Sequence, residues 1–271
     1  MENHKNIPMS SVKICVTCGT HYPPQRPFDI CPICADDRQY LPEGGQIWTT
    51  PAALASNHSV MSHRLHDNIY ELEITPSFAI GQRTFLILSG QGNILWDCIP
   101  LLDDPIKAFI RAHGGLRAIA FSHPHYYSNM NDWAETFDCP VYIHHSDEEW
   151  IFNKGQHIEL WEGEERPLWE GMRLINLGGH FPGSSILRVP ALSPEGAVFC
   201  GDTMVISPSR QHIAVQYSYP NRMPLPRHEI ERISRRLEAI PFDTLYSFFK
   251  HLTITKDVRE ILRRSMERYL A

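Results

Sequence analysis

Five short apolar runs in this 271-residue chain each lead into a histidine or a carboxylate. Ile94-Leu95-Trp96 ends on Asp97, and residues 116–121 open onto Ser122-His123-Pro124-His125-Tyr126-Tyr127-Ser128. Residues 172–176 precede Leu177-Gly178-Gly179-His180, residues 197–199 precede Gly201-Asp202, and residues 244–248 precede His251. Short apolar runs bounded by turn residues read as buried strands. Two histidines at i and i+2 just past a strand end can converge on one ion from a loop. The chain must therefore fold so that several strand ends carry metal-ligating side chains.

A second constraint sits near the N-terminus. Cys15-Val-Thr-Cys18 and Cys31-Pro-Ile-Cys34 form a Cys-x2-Cys-x12-Cys-x2-Cys pattern. Two such turns supply four thiolates to one tetrahedral ion, as in zinc ribbons and rubredoxin-type iron sites. Residues 12–42 are rich in proline and hold too few apolar residues for a core of their own, so the segment needs a metal to fold. Four thiolates leave no position open, which makes this a structural site; zinc is expected, with iron also compatible. Glu43-Gly44-Gly45-Gln46 reads as a break, giving a four-cysteine module over 1–43 and a main domain over 47–271. The module's expected use is docking, onto the main domain or in a homo-oligomer. Cys98, Cys139 and Cys200 sit among apolar residues and read as small buried hydrophobes.

Composition narrows the class. An apolar fraction of 42% with 21% charged residues is that of a globular protein. With 25 Lys+Arg against 31 Asp+Glu the net charge is −6, which argues against a nucleic-acid binder. No run approaches the roughly 18 apolar residues of a membrane helix, and the opening lacks an apolar signal core. The expectation is a cytoplasmic protein acting on a small molecule, with neither nucleic acid nor membrane as partner. Strands are expected over 69–74, 83–88, 93–96, 116–121, 141–143, 158–161, 172–176, 186–189, 197–199 and 244–248. Helices are expected over 105–112, capped by Asp104, over 129–137, and in two C-terminal amphipathic segments. Sheets packed together with helices outside fit this order.

In this order and at these strand ends, the residues resemble the metallo-β-lactamase-fold hydrolase superfamily. That family reads HxHxDH, then a GGHTPGS-like loop, a GD and a closing His. The resemblance covers about residues 48–271 and implies an αββα sandwich, an α/β architecture preceded here by the small zinc-binding module. It implies that His123, His125 and His180 hold a first metal, that Asp202 bridges or flanks it, and that Asp97 braces the metal loop. His251 belongs to the second metal in that pattern. The chain departs at two positions: Tyr127 stands where the family has Asp, and Ser128 where it has the third His. Two ligands are too few for a second tight site, so one catalytic metal is expected. The other reading has Tyr127, His144 or His145 rebuild a second site.

A zinc held by three neutral imidazoles would lower the pKa of its water to about 7 and supply hydroxide for an ester, thioester, lactone or related carbonyl. Asp202 would take a proton from that water, His251 would assist the oxyanion or leaving group, and Tyr126 or Tyr127 would donate its O–H to the developing charge. The Pro-rich stretch 207–227 is expected as a lid or an ordered connection, with Arg210 or Arg222 meeting an anionic substrate. Residues 150–169 are a candidate wall. Two alternatives stand beside hydrolysis. His123, His180 and Asp202 also make the two-histidine, one-carboxylate set of a mononuclear non-haem iron thiol or persulfide dioxygenase. An inactive fold would serve as a binding module.

Overall fold

The computed structural model describes residues 11–26 and 28–271; the first ten residues of the expected N-terminal module lie outside the described residues. Alternation along the strands decides the layering. Phe85 and Ile87 face one way and Leu86 the other, as do Ile94 and Trp96 against Leu95, and Ala197 and Phe199 against Val198. A strand buried on both faces needs a covering layer on each side.

The first sheet has seven strands in the order Ile158–Trp161, Val141–His144, Ala118–Ala120, Ile94–Trp96, Thr84–Ile87, Ile69–Thr75 and Ser59–His66. The second has six, in the order Glu165–Pro167, Arg173–Asn176, Ser185–Val189, Ala197–Cys200, Thr244–Tyr246 and Thr253–Ile254. Their inner faces meet through Phe85, Trp96, Leu174, Leu187, Phe199 and Tyr246. Phe199 stacks on Tyr246 at 4.6 Å and meets Phe85 edge-on at 5.0 Å.

Helices cover both outer faces. Asp104–Ala112 and Met130–Phe137 bury Ile106, Ile110, Met130 and Trp133 against the first sheet. Arg227–Glu238 and Val258–Leu270 bury Ile230, Ile233, Leu237, Ile261 and Leu262 against the second. The result is the αββα sandwich. Asp103, not Asp104, caps the first helix: its carboxylate accepts from Ile106 N at 3.0 Å, and Asp104 sits inside with Pro105 in the first turn.

The strands carrying the site run parallel. Ile94–Trp96 pairs parallel with Ala118–Ala120, and Ala197–Cys200 pairs parallel with Thr244–Tyr246. Their C-terminal ends therefore open on one edge of the sandwich. Arg83, buried in an ion pair with Glu71, holds the end of the last of them by donating to Ser247 O at 2.7 and 2.9 Å.

The cysteine module forms a three-stranded sheet of His21–Tyr22, Lys13–Cys15 and Trp48–Thr49. Trp48–Thr49 lies past the break expected at 43–47, so the small sheet reaches beyond it. Tyr22 meets Phe28 at 5.2 Å and Trp48 at 5.6 Å, edge-on in both cases. This aromatic cluster is far too small to fold alone. The module sits on the main domain: His21 Nε2 lies 2.9 Å from Pro100 O, and His21 N donates to Ser128 O at 3.3 Å. Gly19, at φ +82, brings its backbone so close to Pro100 that a Cβ would fall 2.3 Å from the proline ring. Among the described residues, no helix is long and apolar enough to cross a membrane.

Candidate metal centre

Asp97 follows its strand at φ 64, a left-handed turn that swings the carboxylate under the next strand end. It accepts from Ser122 N at 2.7 Å and from Ser122 Oγ at 2.9 Å. Ser122 Oγ also lies 2.8 Å from His123 Nδ1, so the first imidazole is anchored through its inner nitrogen. His123 Nε2 is left buried with no hydrogen-bond partner, 3.6 Å from Asp202 Oδ2.

The His180 loop is built by close packing. Phe181 N donates to Ser184 Oγ at 2.8 Å, and Gly183 N donates to the buried Asp147 carboxylate at 2.6 Å. A Cβ at Gly183 would strike that carboxylate at 2.5 Å. His180 Nδ1 is 2.6 Å from Tyr217 O. A carbonyl can only accept, so Nδ1 carries the proton and Nε2 the lone pair. That Nε2 lies 3.5 Å from Asp202 Oδ2 and 3.3 Å from His125 Nδ1.

Asp202 Oδ2 also stands 3.7 Å from His125 Nδ1. The donor atoms of His123, His125, His180 and Asp202 all lie within 4.8 Å of one another. Ligands about 2.0–2.1 Å from a tetrahedral zinc lie roughly 3.3–3.4 Å apart. His180 Nε2 to His125 Nδ1 at 3.3 Å and the three imidazoles to Asp202 Oδ2 at 3.5–3.7 Å stand close to that value.

Electrostatics agree. Burial holds His123 well below the ordinary imidazole range and pushes His180 down to about 3, which keeps both rings neutral and able to ligate. Burial pushes the Asp202 carboxyl up, while positive charge on the facing imidazoles and a hydrogen bond from His125 pull it down, so the carboxylate and a protonated ring stabilise each other until a cation takes the proton's place. The unpaired His123 Nε2 and the His180 Nε2 lone pair, together with the His125 ring and one carboxylate, make a buried set that a divalent cation would satisfy.

The other expected site residues lie elsewhere. Tyr126, not Tyr127, reaches the cluster: its O–H donates to Asp202 Oδ1 at 3.1 Å. Tyr127 turns away and packs edge-on against Phe121 at 5.1 Å, because it and Ser128 line a crevice with Thr20 and His21 of the cysteine module. His251 is exposed, at φ 64 in a loop closed by Ser247 N to Leu252 O, and is not among the gathered donors. Arg210 and Arg222 are exposed turn residues at φ 58 and 55. His144 Nε2 pairs with Gly163 O at 3.0 Å, and His145 is exposed.

Arg38 is the residue sequence reasoning missed. It comes from the cysteine module, and its Nε donates to His180 O at 2.5 Å. Its guanidinium lies 4.3 Å from the Phe181 ring centroid and 4.4 Å from that of Tyr217. No local signal marks a lone arginine that acts across 142 positions. Under this cover His123, His125 and His180 are 1, 1 and 0% exposed, and Asp202 7%. Trp150 adds an edge contact to Phe181 at 5.2 Å and is partly buried at the margin of the core.

The second centre is equally compact. Cys15 Sγ is 3.7 Å from Cys34 Sγ, and Cys18 Sγ is 3.5 Å from Cys31 Sγ, where thiolates about 2.3 Å from a tetrahedral zinc would be roughly 3.8 Å apart. Gln46 Nε2 donates to Cys15 Sγ at 3.3 Å, and Tyr22 O–H lies 3.0 Å from Cys31 Sγ. These are the outer hydrogen bonds that thiolate ligands receive.

No protein-family model matches the chain. The uncharacterized protein YmaE of Bacillus subtilis (strain 168) is 37% identical over 261 residues, spanning 95% of each chain. Among solved structures, the DIM-1 metallo-β-lactamase superposes with a TM-score of 0.57 at 13% identity, over 77% of this chain and 96% of its own. FIM-1 from Pseudomonas aeruginosa, a metallo-β-lactamase in its mono-zinc form, gives 0.56 at 12% identity, over 78% and 96%. A B3 metallo-β-lactamase with an active-site glutamic acid gives 0.52 at 18%, over 77% and 90%. The chain shares the fold of these metallo-β-lactamases, and it belongs to the family of the Bacillus subtilis protein.

Proposed function

We propose that this protein is a metal-dependent hydrolase with one zinc held by His123 Nε2, His125 Nδ1 and His180 Nε2, its fourth position left to water beside Asp202 Oδ2, and a second, structural zinc at Cys15, Cys18, Cys31 and Cys34. The observation that carries the reading is the convergence of four donors from three separate strand ends, with His123 Nε2 buried and unpaired among them. Zinc held there supplies a Lewis acid that polarises a carbonyl and lowers the pKa of a coordinated water to about 7.

The chain's own residues do the remainder. Asp97 and Ser122 fix the rotation of the His123 ring, and Tyr217 O fixes the protonated nitrogen of His180. Tyr126 occupies Asp202 Oδ1 and so directs Oδ2 toward the histidines. When charge develops on a substrate oxygen, the Tyr126 O–H is the nearest neutral donor the cluster offers. Esters, thioesters and lactones are the substrate class, since a site whose histidines are at most 1% exposed suits small neutral carbonyl compounds better than multiply charged ones.

A third imidazole beside Asp202 favours hydrolysis over dioxygen chemistry, because a non-haem iron face uses two histidines and keeps several positions open. The test is elemental analysis of the purified protein with an esterase, thioesterase and lactonase panel and an oxygen electrode. Two zinc ions per chain and hydrolysis lost in His180→Ala support the reading. Oxygen uptake on a thiol substrate, or full hydrolysis in metal-free protein, overturns it.

A further inference from the structure

The cysteine module is joined to the histidine cluster by four residues. The short helix Pro32–Ala35 carries Cys34, and Asp36–Gln39 leave it directly. This strap grips the segment that holds His180. Tyr217 O–H donates to Asp37 Oδ1 at 2.6 Å, Ser218 Oγ donates to Arg38 O at 3.0 Å, and Asn221 Nδ2 donates to Asp37 O and Gln39 O at 2.8 Å each. Asp36 fixes Arg38 in turn, its carboxylate accepting from Arg38 Nη1 at 2.9 and 3.1 Å. The guanidinium is thus held in one orientation, between two aromatic rings, with Nε aimed at His180 O.

His180 is clamped twice by the same strap. Its carbonyl accepts a hydrogen bond from Arg38 Nε, and its ring donates to the carbonyl of Tyr217, whose side chain is tied to Asp37. We propose that the strap Asp36–Gln39 makes the histidine centre dependent on the cysteine module, with Arg38 as the residue that positions His180 for its metal. A metal-bound module holds the strap's start in place; the strap then fixes both the backbone and the ring of a ligand on the other sheet. Planarity matters here as much as charge, since only a guanidinium can lie between two rings while donating sideways to a carbonyl.

The inference rests on the reading that the histidine cluster holds a metal. Cobalt separates the two, because four-thiolate cobalt shows strong sulfur-to-metal charge-transfer bands and the histidine–carboxylate set only weaker d–d bands. Full-length protein is loaded with two cobalt ions, and the histidine-site affinity is read by chelator competition for wild type, Arg38→Ala, Arg38→Lys and Tyr217→Phe. Arg38→Ala is expected to lose about 10–100-fold at the histidine site, the usual effect of removing an outer hydrogen bond to a ligand, with the thiolate bands unchanged. Arg38→Lys is expected not to restore it. Tyr217→Phe keeps the carbonyl but frees it from Asp37, and is expected to show a smaller loss of the same sign. If Arg38→Ala disturbs the thiolate bands too, Tyr217→Phe decides, and an unchanged histidine-site affinity there overturns the proposal. So does wild-type affinity in Arg38→Ala with intact thiolate bands. Wild-type protein that takes up only thiolate-bound cobalt sinks the metal reading, and this inference with it.

Discussion

Gly201 precedes Asp202, and its hydrogen is the only substituent the site can tolerate there. A Cβ on Gly201 would lie 2.3 Å from Ser122 Oγ, 2.6 Å from Ser122 Cβ and 2.7 Å from His123 Nδ1. All three fall below the 3.0 Å that real Cβ contacts respect. Ser122 cannot step aside, since both its N–H and its hydroxyl are committed to Asp97. Gly201→Ala must therefore push the His123 ring or the Asp202 turn. Overpacking of this kind costs about 1–3 kcal/mol. In a chain of this size each kcal/mol moves the melting temperature by roughly 2–4 °C, so a fall of roughly 2–12 °C is expected by calorimetry. Because the displaced atom anchors a ligand, histidine-site metal affinity should also drop by about 10–100-fold in chelator competition, with the cysteine site unaffected. An alanine variant that melts within about a degree of wild type and binds metal within about twofold would refute the packing argument and, with it, the part given to Ser122 in fixing His123.

His123→Ala should remove one metal per chain, leave the four-cysteine metal in place and abolish hydrolysis; elemental analysis and the substrate panel check it. Cys31→Ser should free the whole segment 11–49, whose aromatic cluster cannot hold it alone, and limited proteolysis should then cut within the module while the sandwich survives. His21 supplies a pH signature. Burial pushes its imidazole down to about 4 against an unfolded value near 6.5, so the unfolded chain binds the extra proton between those values and stability falls as pH drops through that window, by about 1.4 kcal/mol per unit. His21→Gln keeps a donor for Pro100 O without titrating, and the difference between wild type and variant in urea unfolding should be constant above about pH 6.5 and shift in the variant's favour below it. Asp147 has the opposite sign: burial raises its carboxyl to about 7, so its contribution is present in acid and lost as pH rises through 7. Asp147→Asn, which still accepts from Gly183 N, should be the more stable protein at pH 8 by thermal melting.

The layering and the order of the metal-type residues were legible because both are one-dimensional signals. Strand ends recur at fixed places in the chain, and apolar alternation such as Phe85-Leu86-Ile87 states which side faces which layer. What was not legible lies in contacts between distant segments. Tyr126 and Tyr127 are adjacent and chemically equal; only the single turn Pro124–Tyr126 decides which ring meets Asp202 and which meets Phe121. The strand Ser59–His66 escaped because it is the edge of its sheet, largely exposed, and reads as a polar segment. His251 matched a family position by its place after the last strand, yet Lys250 beside it is drawn to Glu73 and the loop turns His251 outward. Arg38 carried no motif; its role exists only because the module is docked.

Docking also accounts for the two substitutions that set this chain apart from the family pattern. Ser128 O receives the N–H of His21, and Tyr127 fills the crevice beneath the module with its ring. A carboxylate at 127 would be buried there without a cation, at a cost of several kcal/mol, and a histidine at 128 would have to fit where Ser128 turns at φ 39 with 5% exposure. The positions that would hold a second metal have become the seat of the four-cysteine module. The module delivers Arg38 over His180, and Asp202 Oδ2 lies almost equally far from three imidazoles, at 3.5–3.7 Å. A carboxylate at 127 and a histidine at 128 would both have to fit beneath the module, where Tyr127 and Ser128 are buried beside Thr20 and His21.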